Sequence, residues 1–227
     1  MWLYLPFAVL FAVVAARLSI PDIYVYEDWV ESERGIVENA TAVALFPAIA
    51  LGIRALGYRA ALPAGWLTAW LLVLTAAALF FAGEEISWGQ QWLGWATPEP
   101  VAALNRQGEF NLHNMGKQLT SRTPKFLAGL VVVLGGIAFP LWRRWRGVAY
   151  TDRADWRYWV APTRAVVPAA ALMLGLRIVD RVADRLGFGG SAPLDIDFGE
   201  LQEFYIALFL TLYVYAMFRR LRADAAD

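Results

Sequence analysis

The chain has 227 residues, 59% of them hydrophobic, with 11 Trp and a mean hydropathy of +0.45, whereas soluble domains sit near ~45–50% apolar. This excludes a soluble globular domain and predicts one integral membrane domain over residues 1–227, because apolar segments run from end to end. Lys plus Arg equals Asp plus Glu at 20 each, so net charge predicts no nucleic-acid partner. The absence of cysteine excludes disulfides, thiolate metal sites and thiol nucleophiles, and the single histidine, His113, excludes bis-histidine haem ligation.

A helix needs ~20 mostly apolar residues to cross the bilayer. Six segments meet that requirement: 2–19, 36–57, 64–83 with a continuation to 92, 126–141, 162–182 and 199–218. The expected fold is therefore an all-α polytopic membrane helix bundle. The first segment lacks the basic start and small-residue cleavage site of a signal peptide and reads as a retained helix.

Lys and Arg concentrate in cytoplasmic loops. Residues 141–157 carry Arg143, Arg144, Arg146, Arg153 and Arg157, and the C-terminal segment carries Arg219, Arg220 and Arg222. Both are expected inside, which with six crossings places the N-terminus inside too (N-in/C-in). Segments 20–35, 93–125 and 183–198 are then outside. The first and last are acid-rich, while the middle one carries Arg106, Lys117, Arg122 and Lys125 and agrees less well. The expected location is the cytoplasmic (inner) membrane of a bacterium or archaeon.

On this topology the acids of the apolar segments gather at one depth. Glu38 and Asn39 start the second helix, Glu84 and Glu85 end the third, Asp180 and Asp184 end the fifth, and Glu200 and Glu203 start the sixth. Charges in a membrane are costly and mark functional sites by default. Residues three, four or seven apart share a helix face, which aligns Glu38 with Thr41, Glu84 with Ser87 and Gln91, and Glu200 with Glu203. The structural alternative for Glu38, Glu200 and Glu203 is that acids at helix starts complement the helix dipole. Glu84 and Glu85 end an apolar run, where the dipole gives no help.

Arg177, Asp180, Arg181 and Asp184 form a self-neutralising stripe, with Arg177 deep enough to be the counter-ion of Glu84 or Glu200. The long segment 97–123 carries Asn111-Leu-His113-Asn114, where the imidazole is a candidate general base or metal ligand, or else an ordinary loop residue.

The combination Gly83-Glu-Glu-Ile-Ser-Trp-Gly-Gln-Gln91, Thr97-Pro-Glu99, Gln107-Gly-Glu109 and Asn111-Leu-His-Asn114 resembles a group of prokaryotic multi-pass membrane proteins of uncharacterised activity. The resemblance covers residues 33–114 and implies a membrane fold without a particular reaction. Asp28-Trp29, Glu31 and Glu38-Asn39 are also similar to the acidic, aromatic helix entry of alkaline ceramidase-like membrane hydrolases. Those enzymes are zinc-dependent and use a histidine pair in the last helix, where this chain has Glu200 and Glu203.

The leading expectation is a carboxylate-rich site near the outer leaflet that binds a cation or a polar or lipid ligand. Its catalytic candidates are Glu84, Glu85 and His113; its ligand-binding candidates are Glu38, Asn39, Ser87, Gln91, Asn111, Asn114, Arg177, Glu200 and Glu203. A divalent cation is the expected cofactor, on Glu84, His113, Glu200 and Glu203, since carboxylate oxygens suit hard cations. Water on such an ion could attack a lipid ester or amide. A cation- or proton-coupled transporter and a non-catalytic assembly subunit are the alternatives. Expected partners are membrane lipids and a protein in the same membrane.

Overall fold

The computed structural model describes residues 3–32, 34–105, 108–112 and 123–225, and among these the chain is helical with no strand. Helix α1 is Leu5–Ser19; α2, Ile23–Tyr26, runs into a π turn over Glu27–Glu31. Two long apolar helices follow, α3 at Ile36–Leu56 and α4 at Gly65–Glu85. The short helices α5, Gln90–Leu93, and α6, Glu99–Ala102, precede α7 at Thr123–Val133, which passes through a π turn at Leu134–Ala138 into α8 at Phe139–Arg146. A short α9, Trp156–Val160, leads to α10 at Val167–Leu186 and α11 at Phe198–Asp224.

Among the described residues, four helical stretches are long and apolar enough to cross a membrane: those ending in α3, α4, the α7–α8 run and α11. The chain is a helical membrane protein by this measure. Helix α1 has 15 residues, or about 22 Å at the helical rise, against ~30 Å of hydrocarbon. Helix α10 is long enough, but Arg177, Asp180, Arg181, Asp184 and Arg185 occupy its second half.

Helix α11 is the centre. It is apolar on nearly every face, as expected of a helix enclosed by others, and α3, α4, α7 and α10 pack against it. Its polar groups tie it to its neighbours: Thr211 Oγ1 donates to Ala44 O at 2.6 Å, Tyr205 Oη to Pro6 O at 2.8 Å and Tyr213 Oη to Val160 O at 2.6 Å. Small residues set the spacing. A Cβ on Gly52 would run into Thr75 on α4, and one on Gly136 into Ala170 on α10, so close helix approach depends on these glycines.

The sequence predicts that the third helix continues to Trp92. It stops at Glu85 instead, because Ser87, Trp88 and Gly89 take φ values of 46°, 55° and 88°. This left-handed turn reverses the chain, and residues 84, 87 and 91 do not share one helix face. The fourth predicted segment, 126–141, is longer than expected and begins at Thr123, so Lys125 belongs to its first turn and not to the preceding loop.

Candidate functional site

Helices α3 and α11 begin side by side where α4 ends, and this brings three carboxylates together. One oxygen each of Glu38, Glu85 and Glu200 lies within 4.8 Å of the other two. Glu38 and Glu85 are buried and Glu200 is half-buried. Glu38 and Glu200 sit in the first turns of their helices, whose positive dipole ends offset part of their charge. Glu85 is the last residue of α4, at a negative end. It is 2% exposed, and its Oε2 has no hydrogen-bond partner among the described residues.

Glu203 lies one turn along α11 from Glu200 and is also buried. It forms an ion pair with Lys125 of α7. Glu85 is within electrostatic reach of Glu203, Glu200 and Glu38, and Lys125 within reach of Glu203, Glu200 and Glu85. Four carboxylates and one ammonium therefore share one low-dielectric region. Arg177, the counter-ion candidate, has its guanidinium over the Phe126 ring at 6.0 Å, and among the described residues Lys125 is ion-paired to one of the acids. The available signal was a lone Lys one residue ahead of an apolar run that faces an excess of acids.

Glu84, adjacent to Glu85 and 5% exposed, turns the other way. Its Oε1 accepts from Trp88 Nε1 at 2.8 Å and its Oε2 from the backbone N–H of Leu112 at 2.6 Å. Ser87 donates to Glu109 Oε2 at 2.6 Å and accepts from Asn111 Nδ2 at 2.9 Å. Asn105 Nδ2 donates to Asn111 Oδ1 at 2.9 Å, and Gln90 Oε1 accepts from Phe110 N–H at 2.8 Å. Gly83 admits the Trp88 indole, since a Cβ there would lie 3.0 Å from the ring. The residues of the two quoted motifs thus bind each other: the turn after α4 is a latch for Asn105 and for residues 108–112. Glu109, quoted in a motif but not among the site candidates, and Asn105 are two of its central members.

Asn39 is also accounted for structurally. Its Oδ1 accepts from Trp92 Nε1 at 2.7 Å and its Nδ2 donates to Gly35 O at 2.9 Å. Gln91 stands apart, with both side-chain amide atoms buried and without hydrogen-bond partners among the described residues. His113 and Asn114 lie outside the described residues. Of the metal ligands expected from sequence, Glu200 belongs to the three-carboxylate group and Glu203 borders it, while Glu84 is held in the latch and Glu38 and Glu85 complete the group.

A second acidic feature is a cleft of about 680 Å³. Glu27, Asp28 and Glu31 line it together with Asp180, Asp184 and Asp197. Asp197 accepts from Gly199 N–H and caps α11, while its own N–H donates to Glu31 Oε1 at 2.8 Å. Asp195 is gripped by the Arg17 guanidinium, at 3.0 and 2.7 Å. The cleft therefore lies against the segments that lead directly into Glu38 and Glu200.

Comparison with protein-family models, curated proteins and solved structures gives no match. The functional argument stands on geometry and charge.

Proposed function

We propose that this multi-pass membrane protein binds a hard divalent cation, of the Ca²⁺, Mg²⁺ or Mn²⁺ class, on Glu38, Glu85 and Glu200. The observation that carries the reading is the approach of three carboxylate oxygens from three helices to within 4.8 Å. Isolated charges in a low-dielectric interior cost several kcal/mol, and three crowded anions repel one another. A bound cation reverses both penalties, and all-oxygen ligation selects hard ions over thiophilic ones. The acid-lined cleft supports the reading, since a concave surface of one sign raises the local concentration of counter-ions.

The orientation belongs to the same proposal: six crossings, both termini cytoplasmic, and the carboxylates near the outer leaflet of a prokaryotic cytoplasmic membrane. Support comes from the arginines of 143–157 and 219–222 lying at or beyond the chain ends of the α7–α8 run and α11 opposite Lys125 and Glu200. In this arrangement α1 and α10 complete the bundle, α10 turning its charged stripe toward the acidic cleft through Asp180 and Asp184.

The test is metal content of detergent-purified protein equilibrated with Mn²⁺ and desalted. Wild type is expected to retain stoichiometric Mn²⁺ and Glu85→Gln to lose it. Equal metal in both, or none in either, would remove the reading.

A further inference from the structure

We propose that Lys125 is a tethered competitor for the carboxylate site, a built-in cation that occupies Glu203 until an exogenous divalent ion displaces it. The inference rests on the cation-binding reading of Glu38, Glu85 and Glu200 and adds how that site is filled and regulated.

The first argument is ligand number. A Ca²⁺-like ion takes 6–8 oxygens and a Mg²⁺-like ion six, while among the described residues the cluster supplies carboxylates from three. The next carboxylate is Glu203, one turn from Glu200 on the same helix face. It is the one ion-paired to Lys125. An incoming ion that completes its shell with Glu203 must take it from the ammonium.

The second argument is the shape of the cluster. Glu85 Oε2 is buried, lacks a hydrogen-bond partner among the described residues, and belongs to a residue that meets Glu38 and Glu200 within the ligand distance. Lys125 pairs with Glu203 at one edge of the cluster, while no described residue hydrogen-bonds Glu85 Oε2. A divalent ion at the centre of the cluster would repel the nearby ammonium.

The competitor is also the more exposed member of its pair. The Lys125 side chain is 42% exposed although its partner is 10% exposed. It stands in the first turn of α7, and a flexible four-carbon stem can swing the charge out without moving the helix. Arginine at this position would hold the carboxylate more rigidly and resist displacement.

Mn²⁺ titration of the full-length protein in detergent tests the proposal. Lys125→Met is expected to bind Mn²⁺ at least about tenfold more tightly than wild type, or 1.4 kcal/mol, and Lys125→Arg no more tightly than wild type. The double variant Lys125→Met, Glu203→Gln should lose the gain, because the freed ligand is gone. If wild type binds Mn²⁺ and Lys125→Met agrees with it within about threefold, the competitor is overturned and the cation site stands. Absence of Mn²⁺ binding in every variant overturns both. A measurement on wild type alone covers a Lys125→Met protein that does not fold: acetylation of Lys125, followed by peptide mass spectrometry, should rise when Mn²⁺ is added. Labelling unchanged at saturating Mn²⁺ overturns the displacement.

Discussion

Glu84 and Glu85 are neighbours in sequence and both are buried, yet they end in opposite surroundings. Glu84 accepts two hydrogen bonds, one from an indole and one from a loop amide. Glu85 faces three other carboxylates and keeps one oxygen without a hydrogen-bond partner among the described residues. The difference teaches that burial of an acid is a poor guide to its role. A buried polar group whose bonds are made within the protein contributes to structure, whereas one crowded by like charges stores a demand that a cation can meet.

Three measurements can break or sharpen this comparison. The largest effect is expected at Glu85: Glu85→Gln should weaken Mn²⁺ binding by about 100-fold, or 2.7 kcal/mol, at unchanged or raised thermal stability, because a repelling charge leaves the cluster. Glu84→Gln should do the reverse, leaving Mn²⁺ affinity within about threefold while lowering stability by about 1–3 kcal/mol through the weakened latch. Both are read by titration and by thermal unfolding in detergent. If the two variants behave alike, the regions form one site and the contrast collapses.

A middle-sized effect is expected at Ser87. Ser87→Ala removes the hydroxyl that donates to Glu109 Oε2 and accepts from Asn111 Nδ2 and leaves the direct Asn111–Glu109 hydrogen bond at 3.1 Å, at a cost of about 1–2 kcal/mol. Limited proteolysis should then cut within residues 108–112 faster, with Mn²⁺ affinity unchanged. Loss of Mn²⁺ binding in a folded Ser87→Ala protein would contradict the separation of latch and cluster.

The smallest effect concerns a third kind of carboxylate, half-buried and paired. Asp155 caps α9 by accepting from Arg157 N–H at 2.9 Å, and the Arg157 guanidinium beside it holds its carboxyl below the usual carboxylate range. A lowered folded value means that this stabilisation is fully present above the unfolded value of ~3.9 and is lost as pH falls through the folded value. Asp155→Asn should therefore flatten the acid limb of the melting-temperature profile below about pH 4 and leave Mn²⁺ binding untouched. An unaltered acid limb would assign the acid sensitivity to the buried carboxylates.

Much of the helical plan was legible because apolar length is a strong signal: the long helices α3, α4 and α11 coincide with predicted segments to within a few residues at most boundaries. The break after Glu85 was not legible. Ser87 and Trp88 are side-chain-bearing residues at positive φ, a conformation that propensity disfavours and that only the contacts of the turn can hold. That break decides which acid faces the cluster. A continuous helix would have grouped Glu84, Ser87 and Gln91; the left-handed turn instead commits Glu84 to the loop and leaves Glu85 with Glu38 and Glu200. The gathering of acids at one depth could be read from sequence, whereas the assignment of Lys125 to Glu203 depended on where α7 begins.

The central position of α11 also has a consequence for biogenesis. Helices α3, α4, α7 and α10 all precede it in the chain and all pack on it, and for α3 and α10 it is the main packing partner, so these two leave the ribosome before that partner exists. Glu38 and Glu85 reach the membrane ahead of Glu200 and Glu203, with the counter-charge of Lys125 arriving between them. The bundle is thus assembled around a late keystone. Ribosome-bound chains stalled before α11 should hold their earlier helices in a loose, protease-sensitive array that tightens once residues 198–224 emerge.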